Sequence, residues 1–296
     1  MERCAPNLKY TDNSCFSLES LLLIATQYNK INYNKINITN NKIDLIEQLT
    51  NVFSKSCNNQ ICWLKLDLVK NLNNTIINQN TFRPEGPDKK YDWLNTNHIN
   101  DVVNQYHLLY NDFVFLGAVP NDFEDFPILG LTNIDFNTFI KNKKTKLGLV
   151  INLDNHDQSG SHWVGLYIDL LNYYIYYFDS AGKPPGKRIK KFNNKIINYM
   201  YYNKYNIDIK VEKIISILKQ LNDEQPIKYF NNLFKNKLIN FDIRHNTIQH
   251  QFDNSECGVY SINFILRLAK GETFDSITEN ITKDDEMNKC RKTYFR

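Results

Sequence analysis

The stretch Gln251-Phe252-Asp253-Asn254-Ser255-Glu256-Cys257-Gly258-Val259-Tyr260 decides how this chain reads. Cys257 opens an apolar repeat in which Val259, Ile262, Ile265, Leu266 and Ala269 recur at helical spacing, and Gly271 is placed to end the run. The expected element is a helix with a cysteine in its first turn. Unpaired N–H groups and the helix dipole favour negative charge there, and the thiolate is the reactive form of a thiol. Gly258 is expected to leave room for a substrate backbone. Gln251 stands six positions before the cysteine (257 − 251). Its amide can donate to an oxyanion together with the backbone N–H of Cys257.

A buried, inert thiol is the ordinary fate of a free cysteine, so the rest of the chain has to supply a base and an orienter. His162 follows Gly160-Ser161 and opens a strand. Asp179 ends the next strand, 17 residues on (179 − 162). Leu171-Asn172 reads as the hairpin turn between the two strands. In an antiparallel pair the start of one strand lies beside the end of the other, which makes His162 and Asp179 neighbours. His156, His245 and His250 compete as bases. Trp163 favours His162, because a large ring beside the imidazole walls a cleft and excludes water. Asp179 has a plainer alternative, a turn aspartate before Ser180-Ala181-Gly182. Nucleophile, base, orienter and oxyanion donor are thus all present in order.

Strands are expected at Phe113–Val119, Leu147–Leu153, His162–Asp169, Tyr173–Phe178 and, briefly, Thr247–Gln251. Helices are expected at 16–29, 43–53, 99–109, 188–202 and 224–235, with a further segment over 211–221. Trp63–Val69 fits either a strand or a short helix. Asn71–Asn80 and Phe82–Pro87 read as a linker, which places a boundary near residue 85.

The chain has 296 residues, 42% hydrophobic, 13% aromatic and 23% charged, which points to a globular protein and away from a disordered one. The net charge of +4 is a mild excess that ordinary solubility explains. Lys183, Lys187, Arg188, Lys190 and Lys191 form a basic cluster that could hold nucleic acid or polyphosphate, although a solvated helix start is the simpler reading. The longest purely apolar run, Leu21–Ala25, is far too short to span a membrane, and no secretory leader is visible. A soluble protein in a reducing cytosol is the default. Its six cysteines are scattered and form no evident disulfide framework. Cys57 and Cys62 are spaced like half of a metal site without a second half, so neither metal nor cofactor is expected.

The order His162-Trp163, Asp179, Gln251, Cys257-Gly258 resembles the Ulp1-like and adenain-like cysteine proteases, which include SUMO deconjugases and viral maturation proteases. Trp93-Leu94-Asn95 with Ile99 resembles the Trp-Leu segment that leads a helix upstream of that family's core. The resemblance covers roughly residues 90–270. The N-terminal segment, the Phe82–Trp93 lead-in and Ala118–Phe123 look most like the maturation proteases of large cytoplasmic DNA viruses, the African-swine-fever-type group. Glu256 departs mildly from the pattern, standing where many members carry aspartate.

The resemblance implies an α+β protein with a papain-like, Ulp1-type core: a mixed central β-sheet flanked by helices, and a mainly helical N-terminal lobe. Residues 1–85 are expected to form that lobe and 86–296 the catalytic domain. The implied activity is a thiol endopeptidase in which Cys257, His162, Asp179 and Gln251 are catalytic and Trp163 and Gly258 contact substrate. It implies cleavage of virion core or capsid polyproteins after Gly-Gly- or Ala-Gly-type sites, in the host cytoplasm at assembly sites and in the virion. Four alternatives stand beside it: a deconjugase for SUMO-like or ubiquitin-like tails, an acetyltransferase on the same triad plan, a papain-like protease using Cys15, and a catalytically silent binding module.

Overall fold

The computed structural model describes residues 3–205 and 241–296. They form two compact units. The first comprises residues up to 88 with 101–109 and 291–296, and the second comprises 89–100 and 110–290. The sequence-based boundary near residue 85 leaves out 101–109 and 291–296, which belong with the first unit. The segments expected at 211–221 and 224–235 lie outside the described residues.

The first unit is built from helices with side-chain caps. Ser17 accepts from the Ser20 N–H at the start of Leu18–Ile31, and Asn41 caps Lys42–Phe53. Trp63–Val69 is resolved in favour of helix, as the short helices Gln60–Trp63 and Asp67–Lys70. The stretch read as a linker is structured instead. Asn74 caps a helical turn at Thr75–Gln79, Ile77 is buried, and Phe82 packs edge-on against Phe16 at 5.3 Å. Burial of those two side chains outweighs the polar residues around them. Disulfides join Cys4 to Cys15 and Cys57 to Cys62. This departs from the expectation of reduced, scattered cysteines. It also removes both Cys15 as a nucleophile and the half metal site. Folding brings each pair's Cα atoms to 5.2 and 5.5 Å, within bridging range.

The second unit holds a five-stranded mixed sheet in sequential order: β1 Phe113–Val119, β2 Lys146–Asn152, β3 Trp163–Asp169, β4 Tyr174–Phe178 and β5 Asp242–His245. β1 runs parallel to β2, β2–β3–β4 are antiparallel, and β5 runs parallel to β4. The last strand was expected at Thr247–Gln251 but lies earlier, at the sheet edge. Residues 247–251 have no strand partner, and the N–H groups of His250 and Gln251 both donate to the Ser180 carbonyl.

Alternation sorts the central strands onto two faces. Leu147, Leu149, Val164, Leu166, Ile168, Ile175 and Tyr177 pack with Ile189, Phe192 and Ile196 of the helix Lys187–Tyr205. The opposite face receives the helix Cys257–Lys270, which packs on β3 and β2. Gly148 permits that approach: a Cβ there would lie 2.7 Å from Ile265 and 3.0 Å from the Phe113 ring. The helix start is thereby held beside the ends of β3 and β4. This is an α+β arrangement of a mixed sheet flanked by helices.

Candidate active site

Cys257 is the first residue of its helix and is buried with a free thiol. No side chain caps this helix and its first turn holds no acid. The first-turn N–H groups of this helix are therefore not taken up by a capping side chain. Gly271, in the left-handed region at φ 105°, closes the far end.

His162 immediately precedes β3, and its Nε2 lies 2.7 Å from Asp179 Oδ1, just past the end of β4. The hairpin argument therefore places these two correctly. Cys257 acts on the same imidazole and favours its charged form. Burial acts to lower the His162 pKa, but Asp179 and Cys257 outweigh it and raise the value to about 9.

Asp179 is itself fixed from several sides. Its Oδ1 also accepts from the Ala181 N–H at 2.8 Å. Asn246 accepts the Asp179 N–H at 2.8 Å and donates to the Asp179 carbonyl at 2.7 Å. Asn246 is buried and 67 residues away in sequence, and no local pattern marks it as part of the site.

Gln251 is almost fully occupied. Its Oε1 accepts from Ser180 Oγ at 2.6 Å, its Nε2 donates to the Asp253 carbonyl at 2.7 Å, and its backbone N–H donates to the Ser180 carbonyl at 2.9 Å. A primary amide has two N–H donors. One of Gln251's remains without a partner among the described residues. Glu256, the departure noted in sequence, is a buried carboxylate that accepts from Ser255 Oγ at 3.0 Å and Asn288 Nδ2 at 2.9 Å.

The two residues expected to contact substrate are also packed against Leu94. The space a Gly258 side chain would use is filled by Leu94, whose Cβ would lie 3.0 Å from an added Cβ. Gly258 thus serves the approach of the helix to Leu94. Trp163 is 7% exposed and its indole N–H donates to the Leu94 carbonyl at 2.9 Å, so it braces the wall. The ring that opens more to solvent is Trp93, 48% exposed. Trp93, Asn152, His156, His162 and Trp163 line a groove of about 390 Å³.

The competing histidines are engaged elsewhere. His156 Nδ1 pairs with Asp122 at 2.7 Å, His250 is buried with its ring nitrogen 3.0 Å from the Thr278 carbonyl, and His245 is exposed on β5. In the basic cluster, Arg188 pairs with Asp125 at 2.7 Å. Among the described residues no group of acids, histidines and cysteines is arranged to hold a metal, and no helix is long and apolar enough to cross a membrane.

A thiol at a helix start and an imidazole hydrogen-bonded to a carboxylate, on a helix–sheet core, are the elements of a thiol protease. Residues 144–296 match the Ulp1 protease family, C-terminal catalytic domain, and the chain belongs to that family as a cysteine protease. Over its full length it is 33% identical to a protein of Acanthamoeba polyphaga mimivirus whose name proposes a thiol protease, covering 94% of that protein. It is 24% identical to the SUMO-1 cysteine protease of African swine fever virus (isolate Pig/Kenya/KEN-50/1950), over 78% of this chain and 76% of that one. The crystal structure of the African swine fever virus protease shares the fold, with a TM-score of 0.58 at 18% identity over 90% of this chain and 93% of that one.

Proposed function

We propose that this protease cleaves viral core or capsid polyproteins after Gly-Gly- or Ala-Gly-type sequences, with Cys257, His162 and Asp179 as triad and Gln251 as oxyanion donor. The observation that carries the triad is the imidazole of His162 bonded to Asp179 at 2.7 Å, with Cys257 as the first residue of its helix and its thiol free. The Cys257 thiolate attacks the scissile carbonyl carbon. The oxyanion is met by the unused Gln251 N–H and the Cys257 backbone N–H, each such donor lowering the barrier by about 3 kcal/mol. As the C–N bond breaks, His162 gives its proton to the leaving amine and a thioester remains. Water then loses a proton to His162 and attacks the thioester, releasing the carboxylic acid and restoring the thiol. Asp179 keeps the ring oriented and stabilises the imidazolium.

The proposed preference for glycine before the scissile bond follows from Trp93 and Trp163 lining the groove beside His162, since glycine alone lacks a Cβ. The catalytic assignment of residues 86–296, and a part for the helical lobe in substrate choice, belong to the same proposal. So does activity in the cytoplasm at assembly sites and in the virion, for which the viral relatives are the support. A second reading, a deconjugase for SUMO-like tails, draws on the name of the African swine fever virus relative. It uses identical chemistry on a folded substrate.

The test is mass-spectrometric cleavage of Gly-Gly-Xaa and Ala-Gly-Xaa peptides, against an intact SUMO-tail fusion, by wild type and Cys257→Ala. Peptide cleavage lost in the variant supports polyprotein processing. Cleavage of the fusion alone moves the assignment to deconjugation. Cleavage of neither by wild type in reducing buffer rejects both.

A further inference from the structure

The mechanism above leaves one contact unused. Asp284, just beyond Thr282 and at the start of the C-terminal helix Asp284–Tyr294, does not spend its carboxylate capping that helix. Its Oδ2 accepts the backbone N–H groups of Phe252 at 2.8 Å and Asp253 at 3.1 Å. Its Oδ1 lies 3.3 Å from the hydroxyl of Tyr260, a residue of the nucleophile's own helix, one turn from Cys257. Tyr260 is buried, and its hydroxyl also reaches the carbonyls of Thr282 at 2.7 Å and His250 at 3.1 Å. One carboxylate thus ties the two residues after Gln251 to the helix that begins with Cys257.

We infer that Asp284 is a positioning residue for the oxyanion donor. Gln251 Nε2 gives one hydrogen to the Asp253 carbonyl, and that contact decides where its second hydrogen points. The peptide joining Phe252 to Asp253 is held by Asp284 and carries no strand or helix bonding of its own. Charge-assisted bonds to two adjacent N–H groups are stronger than neutral ones, and they hold the two residues that follow Gln251, whereas Ser180 and Gln249 hold Gln251 itself. Loss of the carboxylate frees the Asp253 carbonyl to move and releases the Gln251 amide with it. His162, Asp179 and the thiol share no hydrogen bond with Asp284, so thiolate formation is untouched. The inference rests on the assignment of Gln251 as oxyanion donor.

The test compares two chemistries on the same full-length variants. Alkylation of Cys257 by iodoacetamide needs the thiolate and no oxyanion. Peptide cleavage, and inhibition by a peptide aldehyde that forms a tetrahedral adduct, need both. Asp284→Ala is expected to lower kcat and aldehyde affinity roughly 10- to 50-fold, with KM and the alkylation rate and its pH profile within about twofold of wild type. Asp284→Asn keeps one acceptor oxygen and is expected to lose less than Asp284→Ala. In Gln251→Ala the further change is expected to cost almost nothing, since the amide to be positioned is gone. Full additivity of the two changes overturns the inference, as does a kcat within twofold of wild type, or alkylation falling in step with cleavage. If Asp284→Ala does not fold, the same criteria apply to Asp284→Asn. A Gln251→Ala variant that cleaves normally would instead reject the oxyanion assignment itself, which separates the two failures.

Discussion

Asp179→Asn keeps the shape of the side chain and removes its charge. His162 titrates at about 9 where an unperturbed imidazole titrates at 6.5; burial pulls the value down, and Asp179 followed by Cys257 pull it up. With the carboxylate gone the burial remains, opposed only by Cys257, so the value should fall below about 9. The iodoacetamide reaction of Cys257, followed between pH 5 and 10, is expected to slow roughly 10- to 100-fold at pH 7, because less imidazolium is present to stabilise a thiolate. The sign for stability follows from the raised value. Its contribution is complete below pH 6.5, declines as pH rises, and is gone above about 9. The wild-type melting temperature should therefore fall across that window, and the variant's should fall less. An alkylation profile within twofold of wild type at every pH would refute the assignment of Asp179 as the group that holds His162 protonated.

Three further outcomes are expected. Asn246→Ala strands the buried Asp179 N–H and carbonyl and should cost about 1–3 kcal/mol in denaturant melts, with cleavage reduced while substrate KM holds. Gly258→Ala drives a Cβ to 3.0 Å from Leu94 and should lower stability by about 1–2 kcal/mol. It should also disturb the Leu94 carbonyl that Trp163 uses, and an unchanged melting temperature would show that the helix start can yield. Cys4→Ser with Cys15→Ser removes the bridge closing an 11-residue separation and should cost about 2–4 kcal/mol, while Cys257 alkylation proceeds at the wild-type rate. Loss of alkylation in a folded double variant would reopen Cys15 as a nucleophile.

The relation between His162 and Asp179 was legible because it is local. A two-residue period and a tight turn define a hairpin, and a hairpin fixes which ends meet. The Cys257 helix was legible for the same reason, from a helical period and a closing glycine. The fifth strand was misplaced because Asp242–His245 is polar and alternates only weakly. Its pairing with Tyr174–Tyr177 comes from the sheet edge across a long separation. Meanwhile Thr247–Gln251 has the look of a strand but gives its N–H groups to Ser180.

The sequence by itself determined the residue types of the chemistry, their order along the chain and the elements that carry them, since period, turn and cap act over a few residues. Tertiary structure alone decided how those residues are held. It set Asn246 on Asp179, Ser180 and Asp253 on Gln251, and Asp284 on the turn after it. It filled the space beside Gly258 with Leu94, and it joined Cys4 to Cys15 and Cys57 to Cys62. Most of those contacts depend on where two separate segments come to rest, and no short-range pattern of side chains encodes that distance.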